Sequence, residues 1–263
     1  MLFFFSKLKK ARTKKIPTCS AVIAAAGSSQ RMNGEDKLFV KIHGIPVLAH
    51  TLKAFQSCEY IKEIIVVTRD YYKGHVSDIC SQYGITKAEK IIIGGQTRLV
   101  SVTNGVFAVS GKAKLIAIHD GARPCVDNGI IERAVESAVK YHAAAPAVPV
   151  SSTIKRVKNS MIIETVDRGD LVEIQTPQVF TSELIKAALT NAGNKSIDVT
   201  DDCKAVELIG ATVRITEGSR NNIKLTTRED LIIAEAIIRR QESRIIDQTT
   251  GVIHDVMMSE PEG

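Results

Sequence analysis

Five short, continuously apolar, β-rich runs punctuate the first 150 residues: SAVIAAA (20–26), EIIVVT (63–68), KIIIGG (90–95), LIAIHD (115–120) and APAVPV (145–150). Between them lie IPVLAHTLKAFQS, YYKGHVSDICSQYG, TRLVSVTNGVFAVS and DNGIIERAVESAVKYH, whose apolar residues recur at three or four positions as on one face of a helix. A strand with no polar alternation must be covered on both faces, and strands alternating with helices pair in parallel. The pattern therefore predicts an α/β fold with a doubly wound, mostly parallel sheet. In such a sheet ligands sit beyond the carboxyl ends of the strands.

The pattern breaks at about 151–172, where SSTIKRVKNSMIIETVDRGDLV alternates and turns without a long helical period; this reads as a β-hairpin arm. Helical patterns return at TSELIKAALTNA and DDCKAVELIG, followed by a strand, ATVRITEG, and a last helix from about Thr227 to Arg240. Residues 243–263 have little periodicity and are expected to form a tail without regular structure. The chain thus divides into a basic N-terminal tail (1–17), one domain (18–242) carrying the arm, and the C-terminal tail; 263 residues suit one such domain.

Lys and Arg number 35 against 29 Asp and Glu, and several of the basic residues crowd into KLKKARTKK at 7–15, so the body is nearly balanced. A groove for nucleic acid interleaves cations with stacking aromatics, yet the chain has no Trp and only 5% aromatic residues, which argues against a polymer ligand. The five cysteines (19, 58, 80, 125, 203) are odd in number and lack C-x-x-C or zinc-ligand spacing, so they read as free thiols of a cytoplasmic protein. LFFF near the N-terminus is too short for a span and lacks the order of a signal peptide, so no membrane partner is expected.

The first strand empties into AAAGSSQRMNGEDKLF (24–39). Small residues let the backbone approach a ligand, and unpaired N–H groups can cradle phosphate oxygens. Neither G-x-G-x-x-G nor G-x-x-x-x-G-K-[ST] is present, which excludes a standard dinucleotide fingerprint and a Walker loop. Arg31 and Lys37 supply mobile positive charge instead. Taken alone, Gly27 and Gly34 could simply make turns beside two solvated cations. Four more segments shift that balance: IIGGQTRLVSV (92–102) with Arg98 and Ser101, HDGARP (119–124) with an acid and an Arg past the fourth strand, TVDRGDLVEIQTPQVF (165–180) with Arg168, and EGSRNNIKLTTREDL (217–231) with Lys224.

Taken in order from about Ala21 to Arg239, these motifs resemble the 2-C-methyl-D-erythritol 4-phosphate cytidylyltransferases of the non-mevalonate isoprenoid pathway. The resemblance rests on A-A-A-G…R-M…K, G-G…R…S-V, H-D-x-A-R-P, T-V-D-R, Q-T-P-Q-x-F and E-G-S…N-I-K-x-T. It implies a Rossmann-like nucleotidyltransferase fold that joins CTP to a sugar-alcohol phosphate and releases pyrophosphate, with Mg2+ as cofactor. It further implies Arg31 and Lys37 as transition-state stabilisers and Arg168 and Lys224 as holders of the acceptor phosphate. Ala25, Ala26, Gly27, Gly95 and Ser101 would bind the nucleotide; Asp120, Arg123, Thr153 and Thr176 would meet the acceptor, with Asp120 also the metal candidate. The arm would reach a second subunit, giving a homodimer whose sites share Thr153 and Arg168. Three departures stand out: Leu38 where many relatives have Gln, Gly121 within H-D-A-A-R, and Gln96 where relatives often carry an acid. None removes a cation. Two other readings are a ribitol 5-phosphate cytidylyltransferase, whose first loop and fourth-strand motif differ from AAAG and HDGARP, and a non-catalytic nucleotide-binding module, which would not need both cation pairs.

Overall fold

The computed structural model describes residues 17–27, 36–197 and 199–257, with side chains to residue 243. Arg31 lies outside the described residues, as do most of the N-terminal tail and the end of the C-terminal one. In chain order the elements are β1 (Cys19–Ala24), β2 (Lys41–Ile42), β3 (Ile45–Pro46), α1 (Val47–Ser57), β4 (Ile61–Thr68), α2 (Lys73–Gln82), β5 (Ala88–Ile93), α3 (Arg98–Ala108), β6 (Leu115–Asp120), α4 (Asn128–Tyr141) and β7 (Ala143–Pro149). There follow β8 (Ile154–Lys158), β9 (Met161–Val166), β10 (Val172–Ile174), β11 (Gln178–Thr181), α5 (Ser182–Asn194), α6 (Asp202–Glu207), β12 (Arg214–Glu217) and α7 (Arg228–Met257).

The central sheet has eight strands in the order β10-β7-β11-β6-β1-β4-β5, with β12 also on β7. β1 pairs in parallel with both β4 and β6, β4 with β5, and β12 with β7. β11 runs antiparallel between β6 and β7, and β10 antiparallel to β7. The expected α/β doubly wound sheet is present, with the fifth apolar run displaced one place by an antiparallel strand. β10 and β11 together make one interrupted strand along β7. Its break, Gln175–Pro177, contains a cis peptide at Thr176-Pro177 and falls just beyond the carboxyl end of β6.

Successive strand residues serve opposite faces, as the pleat requires. From β1, Ala21 and Ile23 join Leu48, Leu52 and Phe55 of α1 and Ile130 and Ala134 of α4 on one face. Val22 joins Val102 and Val106 of α3, Ile185 and Leu189 of α5 and Val206 of α6 on the other. The two helix layers thereby fix the strand ends from both sides. β8 and β9 pair only with each other, as the hairpin reading expected, and their side chains are largely exposed. The last helix departs from expectation: it continues past Arg240 to Met257, through a stretch whose weak periodicity reads as a tail.

Gly105 shows how closely α3 packs. A Cβ there would lie 2.4 Å from Val22 Cγ1 and 2.7 Å from Val67 Cγ2, both buried valines with no room to withdraw. Alanine gains about 1 kcal/mol of helix propensity over glycine, whereas overpacking a dense core costs about 1–3 kcal/mol. Gly105→Ala is expected to lower the urea midpoint of unfolding; a raised midpoint would show that the helix can back away from the sheet.

Candidate active site

The carboxyl ends of β1, β4, β5 and β6 meet at one edge of the sheet. Past β1, the Ala25 N–H donates to Val67 O at 2.8 Å and the Gly121 N–H to Ala24 O at 2.9 Å, so the loop leaves with its backbone still tied to both neighbours. Past β5, the Gly94 N–H donates to Thr68 O at 2.8 Å. A Cβ on Gly94 would stand 2.5 Å from Ala26 Cβ and 2.8 Å from Ser101 Oγ, so glycine is what lets the two loops touch. The Ser101 hydroxyl donates to Thr97 O at 2.9 Å and accepts the Gly95 N–H at 3.0 Å. Thr97 caps α3 by accepting the Val100 N–H at 3.2 Å. The loops carrying Ala25, Ala26 and Gly27 and Gly94, Gly95 and Ser101 are thus brought together as the candidate slot, with the Ala25 N–H already given to Val67 O and the Gly95 N–H to Ser101 Oγ.

Beside it, at the end of β6, one carboxylate gathers three cations. Asp120 Oδ2 lies 3.0 Å from Lys224 Nζ and 3.4 Å from Arg123 Nε, and Oδ1 lies 3.8 Å from Arg98 Nη2. Burial pushes the Asp120 carboxyl up, but Lys224, Arg98 and Arg123 outweigh it and hold the group well below the usual carboxylate range. Arg98 is in turn gripped by Asp202, in a fork of 2.9 and 2.7 Å. Asp120 and Asp202 are buried, Asp201 adds a further negative charge near Arg98, and the Lys224 ammonium is the exposed member of the cluster. Arg123 also donates to Asn222 O at 2.8 Å, the Leu225 N–H to Ala122 O at 2.9 Å, and Lys37 Nζ to Leu225 O at 2.7 Å. These bonds draw Lys37, Lys224 and Arg123 to one place although more than 180 residues separate the first two.

Thr176, expected to touch an acceptor, is buried, and its hydroxyl is already engaged: it accepts the Asp120 N–H at 3.2 Å and sits 3.0 Å from His119 Nδ1. Its carbonyl accepts from Asn222 Nδ2 at 2.9 Å. Burial drives the His119 ring down to about 3, so it is neutral here. Thr176 therefore supports Asp120 from behind. Arg168 and Thr153 lie with the exposed arm; the Arg168 guanidinium donates to the Ser151 carbonyl at the arm's base, and among the described residues no ion pair joins it to the Asp120 cluster.

Arg98 stood in a quoted motif without a role, and Asp202 was read only as part of a helical pattern. The helix-start signature at Asp201 was the available signal: Asp201 Oδ1 accepts the Lys204 N–H at 2.9 Å, which turns the next carboxylate inward.

Burial pushes the Asp202 carboxyl above its ordinary value by more than Arg98 pulls it down. Arg98→Met leaves that carboxylate buried without a counter-charge, which costs about 3–5 kcal/mol at neutral pH. With its partner gone, Asp202 binds a proton more tightly in the folded than in the unfolded chain, so acidification favours the folded state of the variant. Urea unfolding at pH 8 and pH 5.5 should show the deficit shrinking at the lower pH; an equal deficit at both would place the cost in lost packing.

A family model described as 2-C-methyl-D-erythritol 4-phosphate cytidylyltransferase matches residues 19–240. A curated 2-C-methyl-D-erythritol 4-phosphate cytidylyltransferase from Halalkalibacterium halodurans is 43% identical over 226 residues, spanning 86% of this chain and 99% of the relative. One of the same name from Caldanaerobacter subterraneus subsp. tengcongensis is 45% identical over 224 residues, with 84% and 99% covered. Among solved structures, a 4-diphosphocytidyl-2C-methyl-D-erythritol synthase from Anaerococcus prevotii superposes with a TM-score of 0.75 at 30% identity, covering 85% of this chain and 99% of that one. A 2-C-methyl-D-erythritol 4-phosphate cytidylyltransferase from Thermus thermophilus gives 0.71 at 31%, covering 84% and 98%. Matched over residues 19–240 and more than 40% identical to relatives along most of its length, the chain belongs to the 2-C-methyl-D-erythritol 4-phosphate cytidylyltransferase family of nucleotidyltransferases.

Proposed function

We propose that the backbone slot takes CTP and the cation cluster beside it takes the phosphate of 2-C-methyl-D-erythritol 4-phosphate. The observation that carries this reading is the juxtaposition itself: small-residue loops beside three cations gathered on Asp120, one of them, Lys224, exposed. An acceptor phosphate oxygen attacks the α-phosphorus of CTP, and pyrophosphate leaves in line. The nucleophile is already an anion, so the task is positioning and charge stabilisation, with no general base. Lys37 and Arg31 meet the charge that grows on the α-phosphate and the leaving group. Lys224 and Arg168 hold the acceptor phosphate, with Asp120 fixing the Lys224 ammonium and Arg123 tying the segment before it through Asn222 O.

The cofactor in this reading is Mg2+. Asp120 Oδ1, whose Arg98 neighbour at 3.8 Å is beyond hydrogen-bond reach, is a fitting carboxylate oxygen for it. A single carboxylate suits an ion whose other ligands are phosphate oxygens and water, and the ion would neutralise triphosphate charge.

The homodimer belongs to the same proposal. Val157, Met161, Ile162 and Ile163 of the arm are each more than half exposed, an apolar surface that packing against a second copy would cover. Thr153 and Arg168 would then complete the neighbour's site. The five cysteines are free thiols and no helix of the described residues is long and apolar enough to cross a membrane; a cytoplasmic location fits the reduced cysteines.

Coupled pyrophosphate release, crossing CTP and UTP with methylerythritol phosphate and ribitol 5-phosphate in magnesium, should give turnover with CTP and methylerythritol phosphate far above every other pair. Comparable turnover with ribitol 5-phosphate would move the assignment to that substrate. Sharing of the site is tested by mixing Lys37→Ala with Arg168→Ala, each expected to lose on the order of a hundredfold in kcat alone. Random subunit exchange makes about half the dimers mixed, each with one intact site of two, so roughly a quarter of wild-type activity should return. Confirmed exchange with no recovery would show that each arm serves its own subunit.

A further inference from the structure

A loop that offers N–H groups to phosphates carries a carbonyl for every one of them, and a carbonyl turned toward a triphosphate repels it. After β1, two consecutive carbonyls are held by a side chain that has no place in the mechanism above. Arg69, the first residue past β4, donates from Nε to Ala26 O at 3.1 Å and from Nη2 to Gly27 O at 2.6 Å. Its Nη1 donates to the Tyr71 hydroxyl, and its Cζ lies 5.8 Å from the centroid of that ring. The backbone of Arg69 is anchored separately, its carbonyl accepting the Tyr72 N–H at 3.0 Å. One guanidinium therefore spans two peptide groups of the first loop from a neighbouring strand end, with its remaining edge fixed on a tyrosine.

The consequences follow from the peptide unit. In a planar trans peptide the N–H points opposite to the C=O, so holding the Ala26 carbonyl on Arg69 turns the Gly27 N–H away from it. A carbonyl that accepts from a cation is polarised, which strengthens the N–H of the same peptide as a donor. Gly27 is exposed and free of steric neighbours, so without the clamp its backbone would have to be ordered when the nucleotide binds. We propose that Arg69 is a positioning residue for the nucleotide, holding the Ala26–Gly27 backbone in the orientation that receives the CTP phosphates. This rests on the reading of the slot as the CTP site. It concerns the nucleotide half alone: Arg69 bonds neither Asp120 nor the 222–225 segment among its described partners.

The tests are Arg69→Ala and Arg69→Lys in the full-length enzyme, with KM for each substrate, kcat, and the rise in Tm produced by CTP with magnesium. Two hydrogen bonds from a cation are lost in Arg69→Ala, so KM for CTP should rise on the order of tenfold or more and the CTP-induced rise in Tm should shrink. KM for methylerythritol phosphate should stay within about twofold. Because the clamp sits on an exposed loop, the Tm of the free variant should stay close to wild type. Arg69→Lys keeps the charge but not the planar fork, so it should recover only part of the CTP affinity; full recovery would mean that charge alone matters and would overturn the clamp. Unchanged KM for CTP in Arg69→Ala, with wild type using CTP normally, overturns the inference and leaves the functional reading standing. A wild-type enzyme that neither binds nor turns over CTP overturns both. Should Arg69→Ala fail to fold, the lysine variant decides alone, since a purely structural role would move both KM values or neither.

Discussion

Asp120 is the charge around which the candidate site is assembled. Its carboxylate is the common partner of cations from three separate pieces of chain: Arg98 at the start of α3, Arg123 in the turn after β6, and Lys224 in the segment before α7. Without it the three would repel one another in a cluster that water screens poorly. With it they converge, and Asp202 takes a share of Arg98. The exposed Lys224 ammonium is the member of the cluster that a phosphate from solvent can reach. Asp202 shows the limit on the other side: it is buried, and a cation placed beside two acids is held in direction as well as in charge.

The sheet supplies the rigidity this arrangement needs. Asp120 ends β6 between β1 on one side and β11 on the other, and the interruption between β10 and β11 occurs where the antiparallel neighbour would otherwise continue past it. In the gap, Thr176 reaches both the Asp120 N–H and His119, and Asn222 bridges from Thr176 O to the Gln175 amide at 3.3 Å. His119 stays neutral through burial and so adds no competing charge beneath the acid. The antiparallel strand inside an otherwise parallel half-sheet is thus the element that backs the acid with hydrogen-bonding groups.

The parallel strands were legible because each is a continuous apolar run, and the loop after β1 because its glycines and cations stand in one stretch. β11 was not: QVFT is four residues behind a proline, and its place between β6 and β7 is decided by partners about 35 and 60 residues away. Asp202 was equally silent, since its burial depends on an arginine 104 residues distant. Thr176 was visible as part of Q-T-P-Q, but the sequence could not say that its hydroxyl faces His119 and the backbone. The helical extension to Met257 was missed because a stretch with little periodicity gives no sign that a helix already nucleated upstream will propagate into it. What sequence reading recovers well is local chemistry with a period; what it loses is any group whose role is set by a distant partner.

One such distant relation joins the two halves of the site. Gly27 is tied by its carbonyl to Arg69 at the nucleotide slot, and Lys37 by its ammonium to Leu225 O next to Lys224. Both anchors are bonds from a cation to a backbone carbonyl, and a carbonyl neutralises no charge, so these two bonds set where Gly27 and Lys37 stand without consuming positive charge.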